Sequence, residues 1–107
     1  MPMKNDYVVQ FNKGTALYEL GKYNEAIKAY NEAIQLEPDY CNTWYSKGLA
    51  LDDLAKYDEA IKCYDEVIRL NPEYLNAWRE KGDALVKLSK YDEARVCFDI
   101  SQKRKLR

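Results

Sequence analysis

Histidine is missing from this 107-residue chain. Its absence removes Ser-His-Asp and Cys-His nucleophile systems, zinc sites of the HExxH kind, and the side chain that ordinarily senses pH near neutrality. Cysteine is sparse: Cys41, Cys63 and Cys97 are scattered, with no CxxC pair. Such a set suits a reducing compartment better than a disulfide framework, and without histidine it is a poor zinc set. No metal and no cofactor are expected. The four glycines stand apart, so there is no glycine-rich phosphate loop. No apolar run nears the ~20 residues of a membrane helix, and the opening MPMKNDYVV lacks a signal-peptide core. Charge of one sign is lacking too: 17 Lys and Arg face 18 Asp and Glu, a net charge of −1. That balance argues against a dedicated nucleic-acid binder. Carboxylates could pair for acid–base work, but on a helical surface solvated faces are the default. A non-enzymatic, cytoplasmic protein that contacts neither nucleic acid nor membrane is expected.

What is present is a repeat. Gly14, Gly48 and Gly82 are each 34 residues apart, as are Leu17, Leu51 and Leu85; Leu20, Leu54 and Leu88; Tyr23, Tyr57 and Tyr91; and Ala26, Ala60 and Ala94. Trp44 and Trp78 match, and so do Pro38 and Pro72. The register never slips, and periods of this length signal a stacked array. The units run Tyr7–Tyr40, Cys41–Tyr74 and Leu75–Arg107 within a single domain over 1–107.

Each unit reads as two helices. Trp44, Gly48, Leu51 and Ala55 recur at three- and four-residue steps, the helical period. A break is expected at Lys56-Tyr57, with Asp58 as N-cap of a second helix and Glu59 complementing its dipole. Asn24-Glu25 and Asp92-Glu93 repeat that pattern. Ala60, Ile61, Tyr64, Val67 and Ile68 form the second apolar stripe, and Asn71-Pro72 ends it, because a residue before proline avoids helical angles. A glycine inside a helix is unfavourable by about 1 kcal/mol against alanine. Its return at one place in every unit points to a close helix–helix approach that admits only hydrogen.

The order Trp44, Gly48, Leu51, Tyr57, Ala60, Tyr64, Pro72 on a 34-residue period resembles the tetratricopeptide repeat family over nearly the whole chain. Two departures stand out. Lys13, Lys47 and Lys81 precede the glycines where the family often has an apolar residue, and Gln10 takes the first unit's tryptophan place. The resemblance implies an all-α, right-handed superhelical solenoid of three antiparallel helix-turn-helix repeats, with the first helices lining a concave face that holds other proteins. Carried over, the groove positions are Val8, Phe11, Asn12, Thr15 and Tyr18 in unit one. Unit two supplies Asn42, Tyr45, Ser46, Leu49, Asp52 and Asp53; unit three supplies Asn76, Arg79, Glu80, Asp83 and Val86. They are also the residues left over once the buried stripe is assigned.

Phe11, Tyr18, Tyr45 and Leu49 offer anchor area, while Asp52, Asp53, Glu80 and Asp83 make the middle and far end acidic, with Arg79 as the main counter-charge. The expected ligand is a peptide or helix segment with an apolar anchor and a basic flank. Chaperone-binding members of the family grip a C-terminal carboxylate with Lys, Asn, Asn, Lys and Arg. The matching places here are Phe11, Thr15, Ser46, Asn76 and Glu80, none of them a cation. No clamp of that kind is expected.

The third unit departs from the first two. Ile27, Ala33, Ile34 and Leu36, then Ile61, Val67, Ile68 and Leu70, should face the next repeat; Arg95, Ser101, Gln102 and Arg104 stand in their places. A terminal repeat needs a polar outer face, so the last helix reads as a cap on a complete array. Conversely, Lys28 and Glu32, then Lys62 and Glu66, become Val96 and Ile100. These two either tuck against their own unit or form a self-association face giving a homodimer. The cationic tail Lys103, Arg104, Lys105 and Arg107 is expected to complement a helix C-terminus.

Overall fold

The computed structural model describes residues 6–103, without the side chain of Lys103. Arg104, Lys105 and Arg107, assigned above to the cap and the cationic tail, lie outside the described residues. Six helices follow one another: α1 (Asp6–Glu19), α2 (Tyr23–Leu36), α3 (Cys41–Asp53), α4 (Tyr57–Leu70), α5 (Leu75–Lys87) and α6 (Tyr91–Lys103). There is no strand among the described residues. α1 packs on α2, α3 on α4 and α5 on α6; the pairs stack through α2–α3 and α4–α5, and α1 also touches α3. The result is an elongated all-α solenoid of three helix pairs, 46 Å in its longest dimension.

The glycines work as their spacing predicts. A Cβ built on Gly14, Gly48 or Gly82 would lie 2.6, 2.5 or 2.6 Å from the ring of Tyr30, Tyr64 or Phe98 on the paired helix. Tryptophan and proline are likewise coupled. The Trp44 indole N–H donates to the Pro38 carbonyl at 2.8 Å, and that of Trp78 to the Pro72 carbonyl at 2.9 Å, tying each inter-repeat turn to the helix after it. The lysines preceding Gly48 and Gly82 have partners too: Lys47 and Lys81 place their ammonium groups 5.6 and 5.8 Å from the Trp44 and Trp78 ring centres.

Three expectations need correcting. Asn24, Asp58 and Asp92 are not N-caps: the helices begin at Tyr23, Tyr57 and Tyr91. The Lys22, Lys56 and Lys90 carbonyls accept the first helical N–H, from Ala26, Ala60 and Ala94. The acidic side chains instead sit in the first turn, where they still favour the dipole. Ala55 belongs to no helical stripe, lying exposed beyond α3 at φ 59°. Lys56 N–H bonds to Leu51 O at 2.9 Å and Ala55 N–H to Asp52 O at 2.8 Å, a left-handed C-terminal stop whose favoured residue is glycine. Gly21 supplies it in the first pair, Ala55 and Ser89 in the others. Ala55→Gly should therefore stabilise the chain by about 0.5–1 kcal/mol, the relief of a left-handed Cβ less the entropy of glycine; a thermal melt checks this.

Ser101 is the third correction. Only 6% exposed, it is not part of a polar outer face. It repeats the position of Ala33 and Val67, both 0% exposed. Among the described residues no helix pair follows α6, yet this position is buried. The hydroxyl is satisfied by donating to the Phe98 carbonyl at 2.9 Å. Arg95 and Gln102 do stand exposed.

Candidate functional site

In the first two pairs the glycine contacts that bring the second helix close also deliver its tyrosine hydroxyl to the first-helix face; in the third the ring is Phe98, which has none. Tyr30 Oη lies 3.2 Å from Thr15 Oγ1, and Tyr64 Oη donates to Asp52 Oδ2. Tyr18 donates to Asp53 Oδ2 at 2.6 Å, joining units one and two. Tyr74 donates to Asn42 Oδ1 at 3.0 Å, and Asn42 Nδ2 to Tyr40 Oη at 3.3 Å. Seven of these polar groups belong to the face read from the sequence or support it directly from the second helices.

The aromatic anchors are less free than their composition suggests. Phe11 lies 5.9 Å from Tyr30 and 5.5 Å from Tyr40, centroid to centroid; Tyr45 lies 6.0 Å from Tyr64 and 5.1 Å from Tyr74. Each is a half-buried rung in a ladder that spans one helix pair and the turn after it. Sequence reasoning missed Tyr40 and Tyr74 as groove supports, although both close their 34-residue units. Their contacts with Phe11 and Tyr45 cross 29 residues, beyond any local pattern. Arg79 occupies the third rung's place, so the ladder ends in a cation.

Asn12, Asn42, Asp53, Asn76, Arg79, Asp83 and Val86 stand exposed, while Val8, Phe11, Thr15, Tyr18, Tyr45, Ser46, Leu49, Asp52 and Glu80 are half-buried. A hollow of about 210 Å³ opens between α1 and α3, lined by Thr15, Tyr18, Glu19, Tyr30, Ser46 and Leu49. Glu19 and Tyr30 were not among the residues singled out. A larger hollow, about 690 Å³, shares no residue with this face; Ile27, Trp44, Lys47, Leu51 and Cys63 are among its lining.

Electrostatically the face is centred on Asp52. Burial pushes its carboxyl up to about 6, opposed by the Tyr64 hydrogen bond and reinforced by Glu80, Asp53 and Asp83. Its Oδ1 is buried without a partner among the described residues. Burial, with Glu80 and Tyr74, raises the Tyr45 hydroxyl to about 12, so it stays a neutral donor. Arg79 meets Glu80 at 3.4 Å, but half in solvent, where such a pair neutralises little.

A stack of helix pairs with a first-helix face of this kind defines an α-solenoid repeat protein. A TPR-repeat family model matches residues 14–54 and a tetratricopeptide-repeat model residues 41–74, together more than half of the chain. The chain belongs to the tetratricopeptide repeat family. Among solved structures, the second TPR domain of Spaghetti (RPAP3), bound to the HSP90 peptide SRMEEVD, is 26% identical at a TM-score of 0.88, with 92% of this chain and 91% of that chain covered. MamA is 25% identical at a TM-score of 0.92, covering 96% of this chain and 60% of that one. The first TPR domain of human RPAP3, solved by NMR, is 25% identical at a TM-score of 0.89, with 94% and 80% covered. No curated protein sequence matches the chain. No helix among the described residues is long and apolar enough to cross a membrane.

Proposed function

We propose that this chain is a non-catalytic protein-interaction module whose concave face holds a peptide or helix segment carrying an apolar anchor and a basic flank. The observation that carries this reading is the cluster around Asp52, where burial raises one half-buried acid, Glu80, Asp53 and Asp83 add to the rise, and Arg79 is the cation among the proposed groove residues. A Lys- or Arg-bearing ligand relieves that repulsion, and Leu49 with the hollow beside Tyr18 accepts an apolar side chain. The RPAP3 domain holds an acidic HSP90 peptide on the same fold. Here Phe11, Thr15, Ser46, Asn76 and Glu80 bring no cation to the corresponding places, so the proposed ligand has the opposite charge. A single unit over 1–107, acting as a scaffold in the cytoplasm, completes the reading; the three free cysteines suit a reducing setting.

The test is a fluorescence-polarisation titration with two labelled probes, SRMEEVD and a peptide of leucine flanked by arginines. The basic probe should bind, and the double variant Tyr45→Ala, Leu49→Asp should lose it by tenfold or more while keeping its helical circular dichroism. Preference for SRMEEVD would overturn the reading. A second reading keeps Val96 and Ile100 as a self-association face, because Val96 remains 56% exposed on α6 while Ile100 is half-buried. Light scattering separates them: the groove reading expects a monomer at high concentration, the other a dimer broken by Val96→Asp.

A further inference from the structure

Equivalent positions in the three pairs can be compared directly, and one face breaks the symmetry. Thr43 and Ala77 are 0% exposed, while Val9, 34 residues before Thr43, is 60% exposed. Ala50 and Ala84 are 0% and 1% exposed, while Ala16 lies open. Leu54 and Leu88 are half-buried, while Leu20 is 70% exposed. α3 and α5 pack on the preceding helices α2 and α4: Ile27 of α2 lies with Trp44 against the buried cluster of Leu51, Ala60, Cys63 and Tyr64, and Ile61 of α4 with Trp78 against that of Leu85, Ala94 and Cys97. Across the second of these interfaces Lys81 Nζ meets Asp65 Oδ1 at 2.7 Å. Lys13 holds the place of Lys81 on α1 and stands exposed, with no ion pair among the described residues.

We infer that the Val9, Ala16 and Leu20 face of α1 is a second docking surface, distinct from the concave groove, that receives an amphipathic helix of a partner polypeptide. The two covered copies of this face specify the chemistry of the occupant. It carries branched aliphatic side chains seven residues apart, as Ile61 and Ile68 are, with a carboxylate between them at the place of Asp65 to meet Lys13. A second copy of the chain offers a poorer match. Its α6 bears Arg95 and Gln102 where Ile61 and Ile68 stand on α4, and two α1 faces laid together would oppose Lys13 to Lys13. Ile27 of α2 and Ile61 of α4 are already committed inside the chain.

The probe is a labelled peptide with the sequence of residues 56–74, titrated into the full chain under reducing conditions. Saturable binding is expected. Val9→Asp should weaken it tenfold or more, with Ala16→Arg as an independent variant should the first not fold; Tyr45→Ala, Leu49→Asp should leave it unchanged. A peptide carrying Asp65→Lys should bind more weakly to the parent and regain affinity for Lys13→Glu. Three results would each overturn the inference. One is an absence of saturable binding. Another is binding indifferent to Val9→Asp and Ala16→Arg, as expected if the peptide displaced α4 itself. The last is a dimer in light scattering that Val9→Asp dissolves.

Discussion

Gly48→Ala should destabilise the chain by about 2 kcal/mol and lower its melting temperature by roughly 10 °C. The added methyl would stand 2.5 Å from Cε1, 2.9 Å from Cζ and 3.0 Å from Cδ1 of Tyr64. That ring has no easy escape, since Tyr64 is 0% exposed and its hydroxyl is bonded to Asp52. Helix propensity favours alanine by about 1 kcal/mol. Overpacking opposes it by about 1–3 kcal/mol, and a loosened partly buried hydrogen bond adds about 1–3 kcal/mol more. The steric terms win. A double-mutant cycle isolates them: in a Tyr64→Leu background the same Gly48→Ala change should be neutral or stabilising. If Gly48→Ala alone melts at or above the parent, the repeated glycine is not there for close approach.

That contact shows how far the sequence could be read. A feature that returns at Gly14, Gly48 and Gly82 against its helix propensity announces a packing requirement, and the ring it serves lies one helix away on the same repeat. The helix pairs were legible for a similar reason, their stripes being local and periodic. Errors fell where competing local chemistries look alike. Asp58 and Glu59 suit a cap or a first turn equally well on charge, and only the Lys56 carbonyl, which accepts from Ala60, decides between them. Ala55 continues the apolar spacing of α3 yet adopts a left-handed angle, because the stop is dictated by the hydrogen bonds of Lys56 and Ala55 to Leu51 and Asp52. The groove residues followed from the family resemblance and from the residues the buried stripe left over. What no pattern could give was the aromatic ladder: whether Tyr45 is an open anchor or a rung between Tyr64 and Tyr74 depends on contacts across helices. Nor could it show that burial singles out Asp52 from its neighbouring acids.

Asp52→Asn should move stability and binding in opposite directions. The folded chain holds the Asp52 proton up to about pH 6, against an ordinary value of 3.8. Between those values the native state therefore binds more protons than the unfolded chain. On this account stability falls as pH rises from about 4 to about 6 and is flat above that range. Asparagine keeps an acceptor for the Tyr64 hydroxyl without the buried charge. It should stabilise the chain at pH 7 by about 1 kcal/mol, allowing for solvent screening of a half-exposed carboxylate, and by nothing near pH 4. Affinity for the basic probe proposed above should respond the other way. In the parent it tightens as pH rises through 6 and the Asp52 charge appears; the variant should bind roughly three- to tenfold more weakly at pH 7 and lose the pH dependence. Melts and titrations at pH 4, 5.5 and 7 read both effects on one pair of proteins. A variant that gains stability but keeps parental affinity would leave Asp52 a strained neighbour of Tyr64 and move the cation contact to Glu80 and Asp83. A variant with neither effect would mean that Asp52 ionises as an ordinary surface acid, removing the observation on which the basic-ligand reading stands. The combination of gain and loss would mark Asp52 as a group whose burial is unfavourable to the fold and useful to the ligand.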